Sequence, residues 1–217
     1  MGQLIFDITT SLDGFVAGPS PSPELPLGEG GEQLHDWATE NRAWRERHGL
    51  EGGEDNANSE LIAESLARQG ALIMGRRMFS GGFGPGPWEQ DPNPDGWWGD
   101  DPPFHNPVFI LTHHAREPVE KQGGTTFTFV TEGIEAALEQ ARAAAGDKDV
   151  VVVGGADAIQ QYLAAGLIDE FDVHVAPLLL GGGTSLFGDL GASSPQVELT
   201  RVIDSPGATH LRYRVVK

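Results

Sequence analysis

Apolar positions along the chain fall into short runs separated by longer amphipathic stretches. The run over 3–10, Gln-Leu-Ile-Phe-Asp-Ile-Thr-Thr, is β-rich and partly alternating and predicts a strand. Short apolar runs over 71–75 and 107–112 predict buried strands, and 126–131 predicts another. Asp149-Val-Val-Val-Val-Gly-Gly is apolar at successive positions, the mark of a parallel strand covered on both faces. A further strand is expected over 167–176. Helices are expected between these runs. Over 32–47, Leu34, Trp37, Ala38 and Trp44 share one face. Asn58 or Ser59 caps a second helix running to Gln69, with Gly70 in its left-handed C-terminal position. Residues 76–79 open another turn, 132–145 form an Ala-rich helix ended by Gly146, and 157–165 follow directly from the valine run. Alternating segments over 197–204 and 209–216 flank Ser205-Pro-Gly and predict a hairpin. Strands alternating with helices, then a closing hairpin, imply an α/β three-layer sandwich with a mostly parallel sheet and an antiparallel C-terminal edge. No repeat or linker divides the chain, so one domain over 1–217 is expected.

Two stretches break this rhythm. Residues 19–31 form an irregular loop rich in Pro and Gly. Residues 81–106 carry Trp88, Trp97 and Trp98 among prolines, glycines and five acids. Long ordered loops in compact domains are often functional, and the aromatics argue for packing rather than disorder.

Composition narrows the partners. Acids number 32 against 14 Lys plus Arg, a net charge of −18. This disfavours nucleic acid and anionic membranes, which need clustered positive charge. A phosphorylated cofactor must then be held locally, by helix N-termini and a few arginines. With no cysteine, disulfides and thiolate metal sites are excluded. The N-terminus has no signal-like pattern and no apolar run reaches membrane-spanning length, so a cytoplasmic protein is expected.

The strongest local signal is Val150-Val-Val-Val-Gly154-Gly155-Ala156 at a strand-to-helix junction. Adjacent glycines let backbone N–H groups approach a diphosphate, and the following helix presents its positive end. Close helix-on-strand packing would call for the same glycines. Ile73-Met-Gly75-Arg76-Arg77 places two cations at the carboxyl end of a strand, where open α/β sheets bind ligands. Surface salt bridges are the plainer use of such a pair. Thr112-His113-His114 ends a third strand and could meet a phosphate or ribose. The spacings to His105 and His35 match no zinc pattern, so no metal is expected. In Ser11-Leu-Asp13-Gly14, Asp13 either contacts substrate or caps the turn. No nucleophile elbow and no P-loop occur.

Taken in order, Ser11-Leu-Asp-Gly-Phe-Val-Ala-Gly, Ile73-Met-Gly-Arg-Arg, Val108-Phe-Ile-Leu-Thr-His, Val151-Val-Val-Gly-Gly-Ala and Ala176-Pro-Leu-Leu-Leu-Gly-Gly-Gly resemble the dihydrofolate reductase-like superfamily. Leu167-Ile-Asp-Glu-Phe and Ser185-Leu-Phe are similar to the branch of the C-terminal reductase domain of bifunctional riboflavin-biosynthesis enzymes. The resemblance implies a sheet of about eight strands, a homodimer joined through C-terminal strands, and NADPH as hydride donor. It would put Gly75, Arg76 and Arg77 at the cofactor phosphates and Thr112 and His113 near the adenosine. Gly154, Gly155, Ala156 and Asp157 would line the diphosphate with Ile159 behind, and Ala17 would flank the nicotinamide. Asp13 would face a small heterocyclic substrate as the candidate acid, with Leu179 and Gly181 edging its pocket. A folate enzyme's carboxylate at the start of the first long helix has no clear counterpart among Glu29, Glu32 and Asp36. A second reading follows from that gap: a catalytically silent dimeric protein that binds a nucleotide or heterocycle.

Overall fold

The computed structural model of the protein describes residues 2–22, 24–82, 86–188, 190 and 194–217. Strand β1 (Leu4–Ser11) and the short β2 (Phe15–Ala17) precede helices α1 (Asp36–Thr39), α2 (Arg42–Arg47) and α3 (Ala57–Arg68). Strand β3 (Gln69–Gly75) enters the single turn α4 (Arg76–Phe79), then come β4 (Pro107–Leu111), β5 (Val119–Glu120) and β6 (Thr126–Val130). Helix α5 (Ile134–Ala145), β7 (Asp149–Gly154), α6 (Ala156–Ala164), β8 (Glu170–Ala176) and β9 (Thr184–Ser185) lead to the hairpin of β10 (Gln196–Ser205) and β11 (Ala208–Val216).

The main sheet has nine strands in the order β10-β11-β8-β1-β7-β3-β4-β6-β5, one more than expected because the two-residue β5 joins its edge. Pairings from β8 through β1, β7, β3 and β4 to β6 are parallel, and β11 and β10 close the other edge antiparallel. The valine run of β7 lies at the centre, which is why both its faces are apolar. On one face α5 and α6 cover Leu4, Phe6, Ile73, Val150 and Val152 with Ala137, Leu138, Ala141, Ile159 and Tyr162. On the other, Trp37, Ala38 and Leu61 of α1 and α3 cover the hairpin side, and Phe79, Trp88, Trp98 and Phe104 cover β3, β4 and β6. Trp88, Trp98 and Phe104 of the 81–106 segment are therefore part of a core, whereas Trp97 is 40% exposed and residues 83–85 lie outside the described set. Strand β10 is a free edge that exposes Val197, Leu199 and Val202. Among the described residues, no helix is long and apolar enough to cross a membrane.

Three local expectations change, the first being the cap of α3: Asn56, not Asn58 or Ser59, accepts at Oδ1 from Asn58 N at 2.9 Å. The helix expected over 32–47 is divided into a 3-10 turn (Gly31–His35), α1 and α2. Asn41 breaks it: its backbone is extended and bridges Glu54, while its buried side chain donates to Trp37 O and accepts from Ser59 Oγ. Asparagine competes with the helix ladder in this way. Gly70 lies inside β3 rather than capping α3, which runs straight into the strand. A Cβ there would sit 2.8 Å from Ala145 O and 2.7 Å from Lys148 Cβ, so the glycine serves close packing of α5 on β3. Gly70→Ala is expected to destabilise the chain by about 1–3 kcal/mol, read by denaturant unfolding, because backbone must move to admit the methyl group. A wild-type midpoint would contradict this close approach.

Candidate active site at the carboxyl edge of the sheet

Because β1, β3, β4, β7 and β8 run parallel, the residues that follow them emerge along one edge. That edge is where a twisted α/β sheet leaves room for a ligand. At its centre the β7–α6 turn and the end of β3 touch. A Cβ on Gly75 would lie 3.4 Å from Gly155 N, and Gly154 has φ 131° with a cis bond to Gly155. A Cβ on Gly154 would meet Met78 Sδ at 2.9 Å, whereas one on Gly155 would meet nothing within 4 Å. The space over Gly155 is open. Helix α6 starts there without a side-chain cap, and the N–H groups of Ala156 and Asp157 have no acceptor among the described residues. Ala156 is buried, Ile159 lies wholly in the core behind it, and the Asp157 side chain is exposed. A carboxylate in the first turn already answers the helix dipole, so Asp157 offers an incoming anion only its backbone N–H.

The two arginines after β3 part company. Arg77 is exposed and has no hydrogen bond or ion pair with a described side chain. Arg76 is buried: Nη1 lies 2.5 Å from Asp91 Oδ2 and 2.6 Å from Ser80 Oγ, and the Trp88 ring lies 3.3 Å from its Cζ. Burial pulls its pKa down and the charge of Asp91 opposes that. Both arginines are expected at the cofactor phosphates; the structure separates them, since Arg76 already carries an internal carboxylate. Its Nε and Nη2 are nonetheless buried without a hydrogen-bond partner among the described residues. Beyond β4, Thr112 is buried with Oγ1 accepting from His114 N at 3.1 Å, and His113 is exposed.

Asp13 sits in a different role from the expected acid. Its carboxylate accepts from Ser11 Oγ at 2.5 Å, Leu180 N at 3.1 Å and Gly181 N at 2.7 Å. The Ser11 hydroxyl, with the Gly181 and Leu180 N–H groups behind it, holds the carboxyl below the usual carboxylate range. A carboxylate stabilised as the anion is a poor proton donor. Asp13 therefore bolts the β1–β2 turn to the 178–181 segment, helped by Leu12 N donating to Leu178 O at 2.9 Å. Ala17, half-buried in β2, pairs with β9, and a Cβ on Gly183 would lie 2.1 Å from Ala17 O. Leu179 projects into solvent, 71% exposed, beside the exposed Gly181. Asp13, Ala17, Leu179 and Gly181 thus gather at the β1–β8 end. Gly75, Arg77, Gly154, Gly155 and Ala156 gather beside them around β3 and β7. Among the described residues no group of three or more His, Asp or Glu side chains could hold a metal ion.

Sequence reasoning missed Asp91 and the role of Trp88 on Arg76, since both are set by tertiary contact. It also missed a polar row on the α3 side of the sheet: Asp7, Thr9, Asp172, His174, His210 and Arg212. Their period-two spacing inside apolar strands was a usable signal.

This architecture defines a dihydrofolate reductase-like α/β protein. Dihydrofolate reductase from Enterococcus faecalis, solved in complex with NADP(H), aligns over 100% of this chain and 98% of that one, with TM-score 0.50 and 14% identity. A protein from Shewanella sp. PV-4 assigned to riboflavin biosynthesis aligns over 99% of both chains with TM-score 0.63 and 22% identity. A pyrimidine reductase-like protein from Corynebacterium diphtheriae covers 100% of this chain and 92% of its own, with TM-score 0.57 and 13% identity. The family model described as RibD C-terminal domain matches residues 3–211, and the chain belongs to that family. No curated protein matches it.

Proposed function

We propose that the protein is an oxidoreductase that uses NADPH to reduce a C=N or C=O bond in a small flat heterocycle, pteridine- or ribosylaminopyrimidine-like. The observation that carries this reading is the open space over Gly155, faced by the unbonded first-turn N–H groups of α6. The family, the NADP(H) complex of the Enterococcus neighbour and the pyrimidine reductase-like neighbour support it.

The residues present fit a dinucleotide phosphate. Gly155, Ala156 and Asp157 would hold the diphosphate through backbone N–H groups, with Gly75 leaving room beside them. Arg77 and His113, which have no side-chain partner among the described residues, are the groups for a terminal phosphate, and Arg76 has buried donors to spare among those same residues. Bound there, NADPH supplies the hydride. The chain's own contribution is placement. Asp13, as the anion, fixes the 178–181 segment against the end of β1, and Ala17, Leu179 and Gly181 border the space it defines. The exposed apolar edge of β10 supports the expected homodimer, since an unpaired edge invites another strand.

Quenching of the five tryptophans by NADPH and by NADH tests the reading. Saturable binding that prefers NADPH is expected. Arg77→Ala should weaken NADPH about tenfold more than NADH, the effect of about 1.4 kcal/mol on the extra phosphate. Equal losses for both nucleotides would remove Arg77 from the phosphate. No binding of either would leave a protein of the same fold that binds a heterocycle without reducing it.

A further inference from the structure

Away from this edge, three side chains on neighbouring strands lie in register: Thr9 on β1, His174 on β8 and His210 on β11. The two imidazoles are 2% exposed. They form the middle of one hydrogen-bonded line. His174 Nε2 lies 2.6 Å from Asp7 Oδ1, His174 Nδ1 lies 2.8 Å from His210 Nδ1, and His210 Nε2 lies 2.8 Å from Asn58 Oδ1.

Both ends of the line are acceptors. The carboxylate of Asp7 accepts at its other oxygen from Ser65 Oγ, at 2.6 Å. Burial raises its pKa, but the His174 charge and hydrogen bond, with Ser65 and Arg212, outweigh that and keep it low. The amide of Asn58 is oriented by its nitrogen, which reaches two carbonyls, Pro206 O at 3.0 Å and Trp37 O at 3.4 Å. Carbonyls only accept, so the amide oxygen is the atom facing His210. Three hydrogen bonds between two terminal acceptors need three ring protons. Two neutral imidazoles carry two between them.

We propose that His174 and His210 together form a buried site for one additional proton, shared across their facing Nδ1 atoms and anchored between Asp7 and Asn58. Trp37 packs against both imidazoles, its ring centroid 4.7 Å from His174 in a tilted contact and 4.8 Å from His210 in a T-shaped one, and its Nε1 donates to Thr9 Oγ1 at 3.1 Å. The proton thereby ties α1 and α3 to β1, β8 and β11. The charged neighbours are Asp7 from β1, Asp172 from β8, Arg212 from β11 and Glu64 from α3, with Arg212 bound to both Asp172 and Glu64. α1 contributes the neutral Trp37. His210 is pushed down to about 4 by burial and then by the charge on His174. A second added proton is thus resisted, since it would set two Nδ1–H donors against each other. The site does not depend on the reductase reading.

Nitrogen-15 spectra of the histidine-labelled full chain test it, with His174→Gln and His210→Gln used for assignment. At neutral pH, three of the pair's four ring nitrogens should be protonated, the two Nδ1 atoms sharing one proton. Asp7→Asn supplies an amide N–H at one end, so the same three bonds then need only two ring protons. In that variant the count should fall to two. Two ring protons in the wild-type protein at neutral pH would overturn the proposal, whatever the variants do.

Discussion

Replacing Gly155 with valine is expected to remove nucleotide binding while leaving the fold in place. The backbone at Gly155 is extended, with φ −69°, and the space where its Cβ would project is empty to 4 Å. A valine Cβ therefore meets no protein atom within 4 Å beyond its chain neighbours. It does fill the volume through which a diphosphate would approach the N–H groups of Ala156 and Asp157. Hydrogen bonds to a charged group contribute about 1.5–3 kcal/mol each, so losing two should weaken NADPH and NADH alike by about 100-fold or more. The measurement is a fluorescence titration beside a thermal melt. Unchanged affinity with an unchanged melting temperature would show that the open turn is not the cofactor site. The same substitution at Gly154 would not be informative, because its positive φ and the contact with Met78 would disturb the fold as well.

The largest stability effect is expected from Asp91→Ala. The side chains of Asp91 and Arg76 are 1% and 4% exposed, and Asp91 Oδ2 also accepts from Ser80 Oγ at 2.6 Å. Asp91 Oδ1 accepts from Asn93 N at 2.8 Å, which shapes the segment that follows. Removing the carboxylate leaves a buried guanidinium whose Nε and Nη2 already lack hydrogen-bond partners among the described residues. Breaking a buried pair from one side costs about 3–5 kcal/mol, which in a chain of this size lowers the melting temperature by about 10 °C. Trp88, stacked on Arg76 and donating to His114 O at 2.8 Å, should loosen with it, so early proteolysis within 86–98 is expected. A wild-type melting temperature for Asp91→Ala would mean that Arg76 finds another acceptor.

Much of the fold was legible in the chain because short-range physics dictates it. Four consecutive valines before two glycines can only be comfortable in a strand covered on both faces, and β7 is the centre of the sheet. Alternation around Ser205-Pro-Gly gave the C-terminal hairpin, and Ala137, Leu138, Ala141 and Ala145 gave the buried stripe of α5. The ordered motifs that resemble the dihydrofolate reductase-like superfamily pointed to the strand ends that now lie along one edge. Strands as short as β2, β5 and β9 were not legible, since two or three residues carry no period to read.

The sequence by itself determined which residues must stand at the carboxyl ends of the strands, because β runs and glycine turns are local. Only the tertiary structure decided what each of them does there. Arg76 and Arg77 are adjacent and chemically identical, yet helical geometry turns one inward to Asp91, fifteen residues away, and leaves the other in solvent. Asp13 reads as an acid in a turn until the N–H groups of Leu180 and Gly181 arrive from the far side of the chain and fix it as an anion. Asp7, His174 and His210 lie on three strands that meet only in the folded sheet, and hydrogen bonds between such distant residues depend on register.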